Sequence, residues 1–532
     1  MPNAVPQAMV VCPHYLASTA GLNLLSRGGN AVDAAIATQA ALSVVYPHMT
    51  GLGGDGFWLG YHGPSQQLYG LNGSGRAGER CTITGGDGAG RPQFYGLDAI
   101  PQRGPQAVIT VPGGVSAWGE MHRRFGTLPW ADLLQPAIAL AEQGYPISAS
   151  QAHWTRLNAE HLRAYGGGAN PFLPGGVLPQ AGQRVTNLPL AATLRRLARL
   201  GTEDFYGGAI AADIIAHLDR LGGLLTRADL ARHTATWVDP IRTTYRGYQV
   251  CQLPPNSQGF TVLQMLNVLE GFNLHTVGHG TADYYHLLVE ATKLAFADRD
   301  RWLGDPDFTE MPLAELISKP YGHRRRARLS MAVAQGGPAA AIGGDTAYTA
   351  VVDGQGNAVS IIQSLYFDFG AAVVPPELGF ALQNRGALFA LDPDHPNALA
   401  PGKRPFHTLM PGLVLTGEGR PHLVLGTMGG EGQPQTQLAL LTRLLDFGFA
   451  PQAAIDLPRW VWGRTWGEAS TQLTMENRIP EAVRQTLTQR GHQIALAPAW
   501  ADQVGHAHAI LLGASGLQGG CDRRSDGAIA CL

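Results

Sequence analysis

A chain of 532 residues with 45% hydrophobic side chains and a formal net charge of −2 is several times the usual single-domain size, so it can bury a large core as a few domains or as one layered α/β unit. Near-neutral charge excludes a global attraction to nucleic acid or to an anionic membrane and leaves charged substrates to individual residues. Its 69 Gly and 36 Pro are spread along the chain, which excludes a fibrous or disordered protein and predicts tight turns between packed elements.

The N-terminal stretch MPNAVPQAMVVCPHYLAS has no basic region followed by a long apolar run, and no later segment reaches the apolar length of a membrane span. Five cysteines, Cys12, Cys81, Cys251, Cys521 and Cys531, are scattered without metal-ligand spacing, as expected of reduced thiols. A cytoplasmic protein with no membrane or nucleic-acid partner is the expectation.

Ser18 to Leu25 reads as a short helix with Ser18 as N-cap, stopped by Ser26-Arg27-Gly28-Gly29-Asn30. Ala31 to Val45 follows, almost wholly apolar, and so predicts a helix buried nearly all round. The loop Gly51-Leu52-Gly53-Gly54-Asp55-Gly56 leads into a strand over Phe57 to Tyr61. A dinucleotide fingerprint needs strand, glycines, then helix, whereas the order here is helix, loop, strand, so the glycines read as turn formers. Leu68 to Leu71 is a further short strand, and Ser74 beyond it lacks the G-x-S-x-G spacing of a nucleophile elbow because position 72 is Asn.

Helical patterns then dominate over Trp130 to Gln143, Leu188 to Leu200 and Ile210 to Leu221. Pro240 to Cys251 reads as strand, and Tyr284 to Arg299 as an amphipathic helix with Glu290 and Lys293 away from its apolar face. His323-Arg324-Arg325-Arg326-Ala327-Arg328 is a basic cluster that reads as a solvated helix face. The following run, MAVAQGGPAAAIGG from Met331, has neither charge nor period and reads as a flexible tether over 331–345.

Asp345-Thr346-Ala347-Tyr348-Thr349-Ala350-Val351-Val352-Asp353 changes the pattern abruptly. Tyr348 to Val352 suits a strand, Asp353-Gly354-Gln355-Gly356-Asn357 a turn, and Ala358 to Ile362 the second strand of a hairpin. His506 and His508 alternate with alanines and share one strand face, but no third metal ligand is patterned nearby. No metal and no cofactor is expected.

A threonine at the head of a strand carries chemistry if the chain is cut in front of it. The new α-amine, with an ordinary pKa of about 7.7 to 8.0, takes the hydroxyl proton near neutral pH, so nucleophile and base are one residue.

The segments Thr346 to Asp353, Gly356-Asn357-Ala358-Val359-Ser360, Gly402-Lys403-Arg404-Pro405 and Met428-Gly429-Gly430 resemble successive motifs of the γ-glutamyltranspeptidase family. Arg27 to Ala35 with Gly51 to Gly54 is similar to its N-terminal motif, and Ala295-Phe296-Ala297-Asp298-Arg299 with Leu303-Gly304-Asp305-Pro306 to the helix ahead of its nucleophile. The likeness runs almost from end to end, as far as Ser525-Asp526-Gly527.

That resemblance implies an α+β, N-terminal-nucleophile αββα four-layer sandwich. One precursor would cleave itself between Asp345 and Thr346 into a large subunit, 1–345, and a small one, 346–532, held together as an αβ unit that could pair further. It also implies that Thr346 is the nucleophile in self-cleavage and turnover, that Ser364 orients it, and that Gly429 and Gly430 supply N–H donors to the oxyanion.

At the positions where the family's γ-glutamyl enzymes hold the α-carboxylate and α-amine of glutamate, this chain has Ser74, Tyr366, Arg385, Leu388 and His407-Thr408. Loss of the ion partners from a desolvated site costs an α-amino acid head group on the order of 2 to 5 kcal/mol. Arg385 adds a fork able to grip a carboxylate in two places. Ser74, Tyr366, Arg385, His407 and Thr408 are therefore the expected substrate contacts.

The pattern is more similar to the cephalosporin-acylase-like and oxamate amidohydrolase branch. The expected function is hydrolysis of a small carboxylate-bearing amide, oxamate first, through an acyl-enzyme on Thr346. Alternatives are γ-glutamyl hydrolysis or transfer on glutathione, a cephalosporin or glutaryl acylase, and, from another class, a dinucleotide-dependent oxidoreductase built on Gly51 to Gly56.

Overall fold

The computed structural model describes residues 7–83, 94, 97–167, 170–337, 345–463 and 470–532, with Asp345 through its backbone alone. Two sheets lie face to face. The first has seven strands in the order Ala528–Cys531, Met9–Cys12, Asp345–Val352, Ala358–Tyr366, Asp55–His62, Gln67–Gly73 and Thr236–Val238. The second has six, in the order Gly516–Cys521, Ala507–Gly513, Pro421–Thr427, Gly412–Leu415, Tyr248–Gln252 and Ile241–Tyr245.

Period-two alternation assigns each strand residue to a layer. Met9, Val11, Phe57, Leu59, Tyr348, Ala350 and Val352 of the first sheet meet Cys251, Leu413, Val424 and Ile510 of the second in one buried cluster. The alternate residues Val10, Trp58, Ala347, Val351 and Ile361 face outward onto the helices Tyr15–Ser26, Ala31–Val45, Trp130–Gln143 and Leu188–Leu200. On the far side Val250, Val414, Leu423 and Leu425 pack under Phe260–Leu269, Ala282–Trp302 and Gly432–Leu445. Helix, sheet, sheet and helix make the expected αββα sandwich. Among the described residues no helix is long and apolar enough to cross a membrane.

Ala31–Val45 is buried at every residue, as its composition predicts. Asn30 caps it in a reciprocal box with Asp33, and the Ala31 N–H donates to Asp353 at 2.7 Å, fixing the helix to the turn of the central hairpin. Gln39 donates to Thr349 at 2.9 Å from the same helix.

Some local readings change. The first helix starts at Tyr15 with His14 as its N-cap, while Ser18 lies inside it and donates to the Ala528 carbonyl at 2.8 Å. Pro240 to Cys251 is a hairpin of two strands, turned at Arg246 and Gly247, which have φ of 50° and 85°. Glu290 and Lys293 are buried and paired at 2.8 Å, because helix Glu481–Gln489 and the turn at His492 pack against their helix. Of the basic cluster, Arg324 is exposed on Glu315, but Arg325 turns inward to Asp298 at 2.7 Å. His506 pairs with Asp502. The expected tether is held through Gln335, whose N–H donates to Glu290 at 3.0 Å and whose carbonyl accepts from Lys293 at 2.8 Å. Its remainder, 338–344, lies outside the described residues.

The glycine loop packs backbone against backbone beside the central strands. A Cβ on Gly53 would stand 2.1 Å from the Ala381 carbonyl oxygen, and one on Gly54 2.3 Å from that of Ser364. Backbone on backbone leaves nothing flexible to move aside. Gly54→Ala is expected to lower stability by about 1–3 kcal/mol, measured by urea denaturation; an unchanged midpoint would show that the loop yields freely.

Candidate active site

The two central strands pair in register from Ala358↔Val352 to Gln363↔Ala347, then shift to Tyr366↔Asp345. One partner is thereby skipped, and the irregularity at Ser364 and Leu365 falls opposite Thr346. Thr346 stands two residues before Tyr348 and so points, with Tyr348, Ala350 and Val352, into the space between the sheets. It is 1% exposed. Asp345 and Thr346 open one strand, Asp345–Val352.

Ser364 lies beside it on the partner strand. Its Oγ accepts from the Tyr366 N–H at 2.7 Å and from Arg385 Nη2 at 3.0 Å. Arg385 opens the short 3-10 turn Arg385–Leu388 and donates its other Nη to Thr408 Oγ1 at 3.0 Å. Its guanidinium lies 4.4 Å from the ring centre of Tyr366, which is held at a φ of 86°. A bulky residue in the left-handed region is strained, and such strain clusters where geometry matters.

Four expected residues, Ser364, Tyr366, Arg385 and Thr408, thus form one buried group. Arg385 is fully buried, and among the described residues no carboxylate comes within ion-pair distance of it. Among the described residues its Nε has no acceptor. Burial pushes its pKa down to about 10, with the nearby Asp55 charge working the other way, so it stays cationic at neutral pH.

His407 and Ser74 make their hydrogen bonds within the protein. His407 Nε2 meets Asp55 at 3.1 Å, and its Nδ1 accepts from the Leu409 N–H at 3.3 Å, so both ring nitrogens are used inside the protein. Ser74 Oγ donates to Asn72 at 2.6 Å and accepts from Asn256 at 3.3 Å. Both residues are fully buried. Asp55, the partner of His407, sits at the end of the glycine loop, and its pairing is not signalled by the local pattern. Its Oδ1 accepts from the N–H groups of Gly75 and Gly113 and from Gln383, at 3.0 to 3.1 Å. Burial alone would raise the Asp55 carboxyl, but the hydrogen bond and charge of His407, then the Arg385 charge and the Gln383 hydrogen bond, hold it below its ordinary pKa.

Burial and the Arg385 charge lower the His407 pKa from 6.5 to about 3. An unfolded imidazole gains a proton below 6.5 while the folded one does not, so this group costs stability as pH falls from about 6.5 towards 3. His407→Gln is expected to flatten that part of the acid decline in melting temperature.

Gly429 and Gly430, at φ of 124° and 51°, turn the chain from strand Pro421–Thr427 into helix Gly432–Leu445. Those angles need glycine, and the helix start favours negative charge. Gln258 braces the turn, donating through Nε2 to the carbonyls of Gly430 at 3.0 Å and Thr408 at 2.9 Å. Arg299 donates to Gln258 Oε1 at 3.3 Å and pairs with Glu431 at 3.1 Å. Neither Gln258 nor Arg299 is recognisable from local pattern as part of this brace. Gln258→Leu is expected to lower kcat by about 10²-fold with little change in KM, measured by steady-state kinetics on the best substrate.

Leu388 borders a cavity of about 300 Å³ with Phe389, Phe406, Asn397, Arg299 and Glu431. Its wall at this point is apolar.

Residues 17–532 match the profile of the Gamma-glutamyltranspeptidase family. The chain is 47% identical to the Glutathione hydrolase-like YwrD proenzyme of Bacillus subtilis (strain 168), over 98% of this chain and 97% of that one. It is 40% identical to the oxamate amidohydrolase proenzyme of Klebsiella pneumoniae subsp. pneumoniae, over 99% of each. The crystal structure of cephalosporin acylase from Bacillus halodurans superposes with a TM-score of 0.89 at 38% identity, covering 99% of this chain and 96% of that one. Sequence, sandwich architecture and relatives agree that this chain belongs to the γ-glutamyltranspeptidase family and is an N-terminal-nucleophile enzyme.

Proposed function

We propose that the chain is a self-processing amidohydrolase that acts on a small amide bearing a carboxylate, with oxamate the first substrate to test. In processing, Thr346 Oγ attacks the Asp345 carbonyl carbon, the peptide nitrogen departs as the Thr346 amine, and water hydrolyses the resulting ester. Asp345 then ends the large subunit, 1–345, and Thr346 begins the small one, 346–532. In turnover the free α-amine of Thr346 accepts the Oγ proton as Oγ attacks the amide carbon. The Gly429 and Gly430 N–H groups receive the oxyanion, and Ser364 Oγ orients the nucleophile. The amine returns the proton to the leaving ammonia, and water then attacks the acyl ester to release the acid.

The observation that carries the substrate assignment is Arg385. An isolated buried cation costs several kcal/mol, and this one has hydroxyl partners, Ser364 and Thr408, but among the described residues no carboxylate within reach. A substrate carboxylate would complete it in the two-pronged geometry a guanidinium favours. Tyr366 backs the guanidinium, Thr408 aligns it, and Ser74 and His407 support it through Asn72, Asn256 and Asp55. Leu388 offers no counter-charge to an α-ammonium.

A second reading, γ-glutamyl hydrolysis, draws on the 47% identity to the glutathione hydrolase-like relative. Glutamate release from glutathione faster than turnover of oxamate would decide for it. A glutaryl amide probes the acylase reading, for which the cavity beside Leu388 has room.

Thr346→Ala is expected to leave one uncut, inactive chain, read from a denaturing gel with intact-mass measurement; two bands with full turnover would overturn the mechanism. Arg385→Ala is expected to raise KM for a carboxylated amide by about 30-fold or more, equivalent to about 2 kcal/mol, with a much smaller effect on an uncharged amide. Equal effects on both would make Arg385 a structural residue.

A further inference from the structure

Away from the nucleophile, the long helix Ala282–Trp302 presents His286 and Glu290 one turn apart on the face that the turn at His492 covers. All three side chains are buried, and one potential ligand atom from each lies within 4.8 Å of the others. His286 Nδ1 and His492 Nε2 are 2.9 Å apart. Two nitrogens on one tetrahedral zinc, at about 2.0–2.1 Å from it, stand about 3.3 Å apart, so a small rotation of either ring would open the pair around an ion.

The surroundings of the three are those that metal ligands need. His286 Nε2 donates to the Ser330 carbonyl at 2.6 Å, which places the proton on Nε2 and leaves Nδ1 as a lone pair aimed at the cluster. Glu290 is oriented by the Gln335 N–H at 3.0 Å and by Lys293 at 2.8 Å. A cavity of about 220 Å³ bordered by Lys293, Gln335, Trp462 and His492 gives an entry path and room for a water as fourth ligand.

We propose that His286, Glu290 and His492 form a binding site for one borderline divalent cation, zinc being the first choice, which fastens the segment containing Ser330 and Gln335 to the turn at His492. Imidazole and carboxylate ligands in this number suit zinc better than calcium or magnesium, which take oxygen donors. The segment precedes Thr346 in the chain and His492 follows it, so the ion is a clasp between the two sides of that position. Lys293 is the competing cation: it occupies Glu290 while the site is empty and opposes a second positive charge there.

The test uses the full chain after dialysis against a chelator, titrated with zinc by calorimetry and with cobalt(II) by visible absorption. One cation per chain and the absorption of tetrahedral cobalt are expected. Both should disappear in His286→Gln and in His492→Gln, whose circular dichroism and chelator-treated melting temperatures serve as the folding control. Lys293→Met should bind zinc about 10-fold more tightly, and zinc should raise the melting temperature of the wild-type protein. Absence of binding, or binding that survives both histidine substitutions, overturns the proposal.

Discussion

The alignment of two neighbouring strands governs this protein. Asp345–Val352 and Ala358–Tyr366 pair residue for residue until Gln363 and then slip, so Thr346 and Ser364 come together at the one irregular place in the ladder. A shift of one residue would reverse every side chain on the strand, turning Thr346 out to the helical layer and Ala347 into the gap between the sheets. The register is therefore held from several directions. Tyr348 fills the space over Gly426 of the opposite sheet and shares its hydroxyl with Ser360, while Gln39 grips Thr349 from the helix behind. The glycine loop closes on the Ser364 carbonyl.

Electrostatics build outward from that alignment. Asp55, on the strand next to Ala358–Tyr366, is satisfied by backbone amides, Gln383 and His407. A carboxylate already supplied with donors contributes a field without making a contact, and it stabilises the Arg385 cation from a distance. The guanidinium is thus kept charged in a dry setting while its donors remain directed at hydroxyls. Behind it, Gln258 ties the backbone at Thr408 to the backbone at Gly430. The group proposed to hold the substrate and the turn proposed to hold its oxyanion are joined by one side chain.

What could be read from the chain beforehand follows the range of the interactions. The all-apolar stretch Ala31–Val45, the helix Trp130–Gln143 and the hairpin around Gly354 each announce themselves within a dozen or so residues, because capping, periodicity and turn chemistry are local. Thr346 needed the whole-chain resemblance, since a threonine heading a strand is common. The pairings of Asp55, Gln258 and Arg299 are not legible locally for a physical reason: Asp55 meets His407, Gln258 meets Gly430, and Arg299 meets Glu431 only after distant parts of the chain pack together. The burial of Glu290 and Lys293 is illegible for the same reason, since His492 and Gln335 come from distant parts of the chain. The glycines after Thr50 were legible as turns, but not as the contact surface for Ser364.

The order of strands in the first sheet has a consequence for how the molecule could be made. Met9–Cys12 is flanked by Asp345–Val352 on one edge and Ala528–Cys531 on the other, and Gln7 N–H donates to the Leu532 carbonyl at 2.9 Å. Segments from before and after Thr346 are interleaved, so neither part owns a complete sheet and neither can be peeled away without tearing hydrogen-bonded ladders. The two ends of the described chain meet on one sheet edge. A circularly permuted gene that joins them and opens at Thr346 would lay the same strands in the same places, and once its initiator is trimmed it would carry a free threonine amine from birth, with no peptide bond to break first.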